Sequence, residues 1–66
     1  MGYKLKEARE EAKLTQQQLA EKSGVSRVTI GAIENGTSKN VTLGTLRKLA
    51  DALDKTINQI FFEENA

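Results

Sequence analysis

The segment QQQLAEKSGVSRVTIGAIENG, residues 16–36, together with the residue before it, contains the start and stop signals of two short helices. Thr15 precedes it and Gln18 follows three residues later, which is the Thr-x-x-Gln pattern of a capping box. The first helix is therefore predicted to begin directly after Thr15. The pair Ser23-Gly24 predicts its end, because glycine readily takes the left-handed conformation found after many helices.

A second helix is predicted after a turn of only a few residues. Ser26 is a favourable N-cap, and Asn35-Gly36 is a stop signal. Between them, Ile30 and Ile33 lie three residues apart and so share one face of the helix. Helices this short are unstable alone, but the small Ala20 of the first allows a close, steep crossing with that face. The segment is therefore predicted to form a helix-turn-helix motif.

Capped or amphipathic segments predict three further helices around the motif. The first runs from about Tyr3 to Lys13, with an apolar stripe at Leu5, Ala8 and Ala12. After the motif and a polar loop, Thr42 caps another, whose apolar positions are Leu46, Leu49, Ala50 and Leu53. The last follows the cap Thr56 and runs from Ile57 to about Phe61, where Ile57, Ile60 and Phe61 are expected to close the core.

These elements predict an all-α fold, a compact domain of five helices. A chain of 66 residues allows one domain only, residues 1–66, with the helix-turn-helix motif at about 16–35. A domain of this size buries little surface, so its stability is expected to be marginal unless it is reinforced, for example by self-association.

Composition argues against several functional classes. The sequence has no Cys and no His, which removes disulfides, zinc sites and the usual general base of nucleophilic catalysis. Its carboxylates fall on exposed helix faces, so neither an enzyme nor a cofactor or small-molecule ligand is predicted. No apolar run approaches the roughly 20 residues of a membrane span, and the first residues lead into a charged helix. A cytoplasmic protein without membrane contact is expected.

Charge is nearly balanced overall but unevenly distributed. Ten Lys and Arg residues face nine Asp and Glu residues, a net charge of +1. Between residues 22 and 48 the single anion is Glu34, whereas the cations are Lys22, Arg27, Lys39, Arg47 and Lys48. Acidic residues gather in the first helix and at the C-terminal end. This asymmetry suits one side that faces nucleic acid.

A resemblance to a known family is carried by Gln16, Ala20, Gly24, Val25, Ile30, Ile33 and the closing Glu34-Asn35-Gly36. At these positions the chain resembles the phage repressor and Cro-type helix-turn-helix family, also called XRE-like. The similarity covers about residues 5–61, nearly the whole chain. It implies a domain that binds double-stranded DNA and places the second helix of the motif in the major groove.

The N-terminal end of that recognition helix is predicted to contact bases, at Arg27, Val28, Thr29 and Ala32. Arg27 can bind guanine through two hydrogen bonds, and Val28 or Thr29 can pack on a thymine methyl group. The alternatives for Arg27 are a phosphate contact without base specificity and a solvated cation on an exposed helix. Gly31 and Ala32 keep the groove-facing surface low, although a short helix can also simply tolerate one glycine.

Phosphate contacts are predicted at Gln16, Gln17, Asn35, Thr37, Ser38, Lys39 and Asn40. The family resemblance implies that Gln16 bridges a phosphate and steadies Arg27. It also implies that residues 37–40 form a phosphate-contacting loop, to which the amides at the start of the next helix contribute. The alternative for these loop residues is ordinary surface polarity, and Asn35 can instead serve as a helix cap with Gly36.

An ion pair between Arg9 and Glu34 is predicted to tie the first helix to the recognition helix. Arg9 lies beside the apolar stripe of the first helix, where an unpaired charge is costly. The family resemblance points to Glu34 as its partner. Alternatively, Arg9 extends to water along the surface of the domain.

Self-association is predicted through the C-terminal helix, at Ile57, Phe61 and Phe62, where apolar side chains exceed what a small core absorbs. The sequence departs from the family at Lys55, which stands where an apolar residue is more usual. Phe62 also extends the apolar run, so it either covers the edge of the core or forms a self-association patch.

The leading functional hypothesis is a sequence-specific transcriptional regulator that binds an inverted-repeat operator as a homodimer, most simply as a repressor. A controller of a restriction-modification or toxin-antitoxin cassette is an alternative of the same class. From a different class, a protein-interaction module that has lost DNA binding would also keep this fold. Against it stand Arg27, Val28, Gly31 and the loop of residues 37–40, because an interaction relic does not need a low, polar, locally basic face.

Overall fold

A computed structural model describes residues 4–37 and 41–62. Among these residues it contains five helices, namely α1 (Leu5–Glu11), α2 (Gln16–Ser23), α3 (Arg27–Asn35), α4 (Leu43–Ala52) and α5 (Asn58–Phe62). The last is a single π-helical turn. The all-α architecture of five helices predicted from the sequence is confirmed.

Side-chain caps define where the central helices begin. The Thr15 hydroxyl accepts a hydrogen bond from the Gln18 amide at 3.0 Å, and the Gln18 side chain accepts one from the Thr15 amide at 2.9 Å. Ser26 and Thr42 accept from the backbone amide three residues on, at 3.1 and 3.2 Å. Thr56 forms a second reciprocal pair with Gln59. Each predicted cap is present because it supplies an acceptor to amides that have no partner within the helix.

Four helices end at a residue in the left-handed conformation. Gly24 and Gly36 have φ of 77° and 76°, but Lys13 and Asp54 reach 61° and 59° despite carrying side chains. At the end of α1, the amide of Lys13 donates to Glu10 at 2.9 Å and the next amide donates to Arg9 at 3.1 Å. These are the paired hydrogen bonds of a Schellman motif, which satisfies the last carbonyls of the helix.

This ending makes α1 shorter than predicted. The helix stops at Glu11 rather than near Lys13, because Lys13 turns the chain sharply toward α2. Ala12 consequently lies outside the helix and is exposed, so its predicted place on the apolar stripe is wrong. Leu5 and Ala8 are buried as predicted. The N-terminal part of the predicted helix, Tyr3, lies outside the described residues.

The core draws on every helix. Its fully buried large side chains are Leu5, Leu19, Ile30, Ile33, Leu49 and Ile60. The apolar positions predicted for α4, namely Leu46, Leu49, Ala50 and Leu53, are all buried. Val25 is buried in the turn between α2 and α3, and Ala20 packs against the core from α2. The two helices of the motif are therefore held at a fixed angle by side chains from the rest of the domain.

The C-terminal turn is part of this core. The amide of Lys4 donates to the carbonyl of Ile60 at 3.0 Å, which joins the start of α1 to α5. Phe61 is only 7% exposed. Its predicted place in the core is confirmed. Almost none of its surface is left for the predicted dimer contact, because the side chain is buried within the domain. Ile57 is partly buried against the same core, and the side chain of Phe62 lies outside the described part of the chain.

Replacing Lys13 with glycine is expected to raise the free energy of unfolding by about 0.5–1 kcal/mol, because glycine has no Cβ to strain the left-handed conformation. Urea denaturation measures the change. Lys13→Ala is the matched control, since it removes the same charge and keeps the Cβ. An equal gain from both substitutions would show that charge, not backbone conformation, limits stability at this position.

Candidate nucleic-acid interface

The outward face of α3 combines one cation with an uncharged, low surface. Arg27 and Val28 are exposed at its first turn, and Val28 is 79% exposed. Gly31 and Ala32 follow one turn later and are half-buried. The opposite face carries Ile30 and Ile33, which are fully buried. Among the described residues, no other side chain covers Val28, so an isolated β-branched side chain stands beside Arg27 at the tip of the helix.

Thr29 is less accessible than its neighbours at this tip. It is half-buried, and its hydroxyl accepts a hydrogen bond from the Ser26 hydroxyl at 3.0 Å. Its amide donates to the same Ser26 oxygen. The Thr29 hydroxyl would have to give up or share its bond with Ser26 to contact a base. The side chains of Arg27 and Val28 make no hydrogen bond within residues 4–37 and 41–62.

The amide group of Gln16 lies beside Gly31. A Cβ atom at Gly31 would stand 3.8 Å from Nε2 and 3.9 Å from Oε1 of Gln16, which is ordinary van der Waals contact. The first residue of α2 therefore covers the centre of the outward face of α3, where α3 has no side chain of its own. Alanine fits at Gly31 without a clash.

Glu34 joins three elements from beneath this surface. Its Oε2 accepts from Arg9 Nε at 2.7 Å, and its Oε1 accepts from Arg9 Nη2 at 3.2 Å and from Gln16 Nε2 at 3.0 Å. Arg9 Nη1 also donates to the carbonyl of Leu14 at 2.7 Å. The Arg9 and Glu34 side chains are 11% and 3% exposed. The predicted ion pair between Arg9 and Glu34 is thus present as a bidentate contact. Gln16 also donates to Glu34, and the carbonyl of Leu14 also accepts from Arg9.

The hydrogen bond from Arg9 to Glu34 raises the pKa of Arg9, an effect that burial partly opposes. The guanidinium therefore stays charged at any pH at which proteins are handled. Its charge compensates that of Glu34, the one anion in the basic region between residues 22 and 48. Lys22, Arg27, Arg47 and Lys48 of this region are all exposed. Their positive charges are left without a nearby exposed carboxylate from the same region.

The glutamines of α2 make hydrogen bonds within the domain that the sequence does not predict. Gln16 donates to Glu34, and no hydrogen bond joins it to Arg27 among the described residues, so its role in steadying Arg27 stays a prediction. Gln17 is exposed, and its Nε2 donates to Glu21 Oε2 at 3.2 Å, one helical turn away. A phosphate contact from Gln17 would have to replace or share this bond.

The predicted phosphate-contacting loop is only partly described. The Thr37 amide donates to the carbonyl of Ala32 at 2.9 Å, and its hydroxyl donates to the same oxygen at 3.3 Å. Together with the left-handed Gly36, this closes the end of α3, so Gly36 rather than the exposed Asn35 provides the cap conformation. Ser38, Lys39 and Asn40 lie outside the described residues.

An exposed leucine at the start of α4 was missed by the sequence reasoning. Leu43 directly follows the cap Thr42 and is 64% exposed. It lies three residues before Leu46, so the helical pattern places it at the margin of the buried stripe. The only signal in the sequence is its position in the first turn, where the helix extends past the end of the core.

Within residues 4–37 and 41–62, no group of three or more Asp or Glu side chains is arranged to hold a metal ion. No helix in the same part of the chain has the length and apolar character needed to cross a bilayer.

Proteins with sequences similar to this chain include two repressors and a control protein. HTH-type transcriptional repressor RghR of Bacillus subtilis (strain 168) is 50% identical over 52 residues, 79% of this chain and 38% of that protein. The immunity repressor protein of Bacillus phage phi105 is 42% identical over 64 residues, 97% of this chain and 44% of the repressor. Control protein C.SmaI of Serratia marcescens is 47% identical over 47 residues, 71% of this chain and 55% of that protein. The chain thus spans about two fifths to just over half of the length of these relatives.

Comparisons with solved structures agree with the sequence matches. The restriction-modification controller protein C.AhdI from Aeromonas hydrophila is similar with a TM-score of 0.81 at 40% identity, covering 88% of this chain and 86% of that chain. A chain of the SinR–SinI protein complex has a TM-score of 0.84 at 28% identity, covering 91% of this chain and 58% of that chain. A helix-turn-helix family model matches residues 5–60. The chain therefore belongs to the helix-turn-helix family of the phage repressor and Cro type, as its sequence predicts.

Proposed function

We propose that the protein is a sequence-specific DNA-binding transcriptional regulator, most simply a repressor, which binds an inverted-repeat operator as a homodimer. The observation that carries the proposal is the outward face of α3, where Arg27 and the 79% exposed Val28 project from a helix held rigidly by the core. The major groove of B-DNA admits one α-helix, and residues at the N-terminal end of that helix reach base edges.

The chemistry of this face fits base recognition. A guanidinium forms two parallel hydrogen bonds with the O6 and N7 atoms of guanine, and an apolar side chain packs on the C5-methyl group of thymine. Arg27 and Val28 supply these groups at adjacent positions. The short side chain of Ala32 keeps this face of the helix low, and at Gly31 the Gln16 amide occupies the space beside the backbone.

The exposed cations outside α3 supply affinity for the phosphate backbone. Lys22, Arg47 and Lys48 are exposed, and the anion Glu34 is neutralised by Arg9. Each cation that neutralises a phosphate releases counterions, so the affinity is expected to fall steeply with salt. Since its partner is DNA, the proposal places the protein in the cytoplasm.

A second candidate of the same class is a controller of a restriction-modification cassette. It is favoured by the similarity to C.SmaI and by the structure of C.AhdI, of which this chain covers 86%. A regulator that is part of a longer repressor is favoured instead by RghR and the phage phi105 protein, of which it covers 38% and 44%. A domain that has lost DNA binding is the alternative from a different class.

Selection of bound duplexes from a random DNA pool, at defined salt concentrations, tests the proposal. We expect an enriched inverted repeat with guanine in each half-site and half-sites one helical turn apart, about 10 base pairs from centre to centre. Enrichment of no sequence at low salt would leave an interaction module as the better explanation. The genes that flank the selected site in the genome then distinguish a cassette controller from another repressor.

Dimerisation is proposed through the surface next to α5. Phe61 has little surface left for a partner because it is buried, and Lys55 points toward α1, with Nζ 3.8 Å from Glu11 Oε1. The residues that remain from the sequence prediction are Ile57, which is half-buried, and Phe62. A twofold axis near these residues would bring the same apolar patch of both protomers together.

Phe62→Asp is expected to shift the protein from dimer to monomer in sedimentation velocity, because two carboxylates would meet at the twofold axis. The thermal unfolding of the variant monomer is expected to be close to that of the parent at high dilution. Ile57→Asp is the companion substitution on the same surface. If Phe62→Asp associates as strongly as the parent, the interface lies elsewhere or Phe62 belongs to the core.

A further inference from the structure

Glu34 is too deeply buried to touch DNA itself. Its side chain is 3% exposed, beneath the outward face of α3, and both of its oxygens accept hydrogen bonds from within the domain. Any effect of Glu34 on DNA binding must therefore pass through a neighbour. Arg9 is nearly as buried, at 11% exposure, and the half-buried Gln16 is the remaining side chain that is bound to Glu34.

Gln16 is held in one orientation by this contact. Its Nε2 donates to Glu34 Oε1 at 3.0 Å, which decides which end of the amide faces the interior of the domain. The same amide lies 3.8–3.9 Å from the position of a Cβ at Gly31. One N–H and the carbonyl oxygen of the amide remain available in the middle of the face that α3 presents. Gln17, its neighbour, is bound only to Glu21 of its own helix and is exposed.

We propose that Glu34 is a positioning residue for DNA binding, which fixes the Gln16 amide over Gly31 so that Gln16 contacts DNA from a preordered conformation. This role rests on the proposed function. The buried pair of Arg9 and Glu34 then has a second role besides holding α1 to α3, because the Glu34 oxygen that accepts from Arg9 Nη2 also accepts from Gln16.

Preordering matters because a free glutamine has three side-chain torsions that DNA binding would have to fix. Ordering a long polar side chain costs enough free energy to lower affinity by up to roughly tenfold. When Glu34 has already fixed the side chain in the free protein, DNA binding no longer bears that cost. The contribution of Glu34 is thus expected to vanish when Gln16 has no amide to be ordered.

A double-mutant cycle in DNA affinity tests this dependence. Arg9→Met and Glu34→Met together remove the acceptor for Gln16 without leaving a buried charge unpaired. Gln16→Met removes the amide and keeps the length of the side chain. Affinities for the selected operator are measured for the parent, for each change and for the combination. All measurements use a temperature at which circular dichroism shows the four proteins to be folded.

We expect the Arg9→Met and Glu34→Met pair to weaken operator binding about three- to tenfold in the parent, and less than about twofold once Gln16→Met is present. Gln17→Met serves as the matched control, since its amide is not bonded to Glu34. In the Gln17→Met background, the Arg9→Met and Glu34→Met pair is expected to weaken operator binding by the same roughly three- to tenfold as in the parent. An equal loss with and without the Gln16 amide would overturn the positioning role.

Side-chain dynamics of the parent provide a second measurement that needs no substituted core. The NH₂ group of Gln16 is expected to have a nuclear magnetic resonance order parameter near the rigid-backbone value of about 0.85 in the free protein, unchanged by operator. A value below about 0.6 in the free protein would overturn the proposal. If the parent binds no DNA at any salt, the proposed function fails first. If the parent binds DNA but the losses of affinity from the Arg9→Met and Glu34→Met pair and from Gln16→Met are additive, only the role of Glu34 fails.

Discussion

Alanine in place of Arg9 is expected to lower the free energy of unfolding by about 3–5 kcal/mol, because it leaves Glu34 charged and unpaired inside the domain. The Glu34 side chain is 3% exposed, so water cannot replace the guanidinium without local opening. The carbonyl of Leu14 would also lose the bond that Arg9 Nη1 donates at 2.7 Å. Glu34→Ala is expected to have a similar cost, since it strands the 11% exposed Arg9.

A double-mutant cycle separates this coupling from general damage. Arg9→Ala and Glu34→Ala together are expected to cost much less than the sum of the single changes, because neither charge is then left alone. A domain of 66 residues has little stability to lose, so the cycle is best measured by urea denaturation in the Lys13→Gly background. Single costs that add would show that Arg9 and Glu34 do not depend on each other for stability.

The helix boundaries were predictable because they depend on local chemistry. Thr15, Ser26, Thr42 and Thr56 each satisfy amides within three residues of themselves, so neighbouring letters suffice to identify them. The apolar spacing of α4 was equally informative, since one face of a regular helix must be buried. The family resemblance then indicated how the helices meet.

The errors arise where distant parts of the chain decide the outcome. Ala12 fits the apolar periodicity of α1, but the helix ends before it because Lys13 adopts the left-handed conformation without being glycine. Phe61 is predicted both to close the core and to lie at a dimer interface, and in the folded domain it is buried together with Ile60. Composition counts apolar side chains, whereas burial depends on how a short π-helical turn packs against α1.

The candidate site shows the same division. The exposure of Arg27 and Val28 was predictable because they directly follow a strong N-cap and lie off the face of Ile30. The pairing of Arg9 with Glu34 required the family resemblance, since 25 residues separate them. The bond from Gln16 to Glu34 was missed because a glutamine amide has no sequence signal for its partner 18 residues away.

Arg27→Lys is expected to weaken binding to the selected operator by about 1–3 kcal/mol per half-site while leaving affinity for scrambled DNA nearly unchanged. Lysine keeps the positive charge, so attraction to phosphate survives. It loses the planar fork that matches the two acceptors of guanine. Arg27 is exposed at the first residue of α3, so the substitution is expected to leave the fold intact.

Lys39→Ala is the comparison that makes the Arg27 result interpretable. Lys39 is predicted from the sequence to contact phosphate, so its loss is expected to weaken operator and scrambled duplexes alike. It should also reduce the slope of log affinity against log salt by about one unit per half-site. Arg27→Lys is expected to leave that slope nearly unchanged, because the number of phosphates neutralised stays the same. Fluorescence anisotropy over a salt series measures both quantities on the same duplexes. If Arg27→Lys leaves operator affinity intact while Arg27→Ala weakens both duplexes equally, Arg27 contacts phosphate, and base recognition then rests on Val28, Thr29 or Ala32.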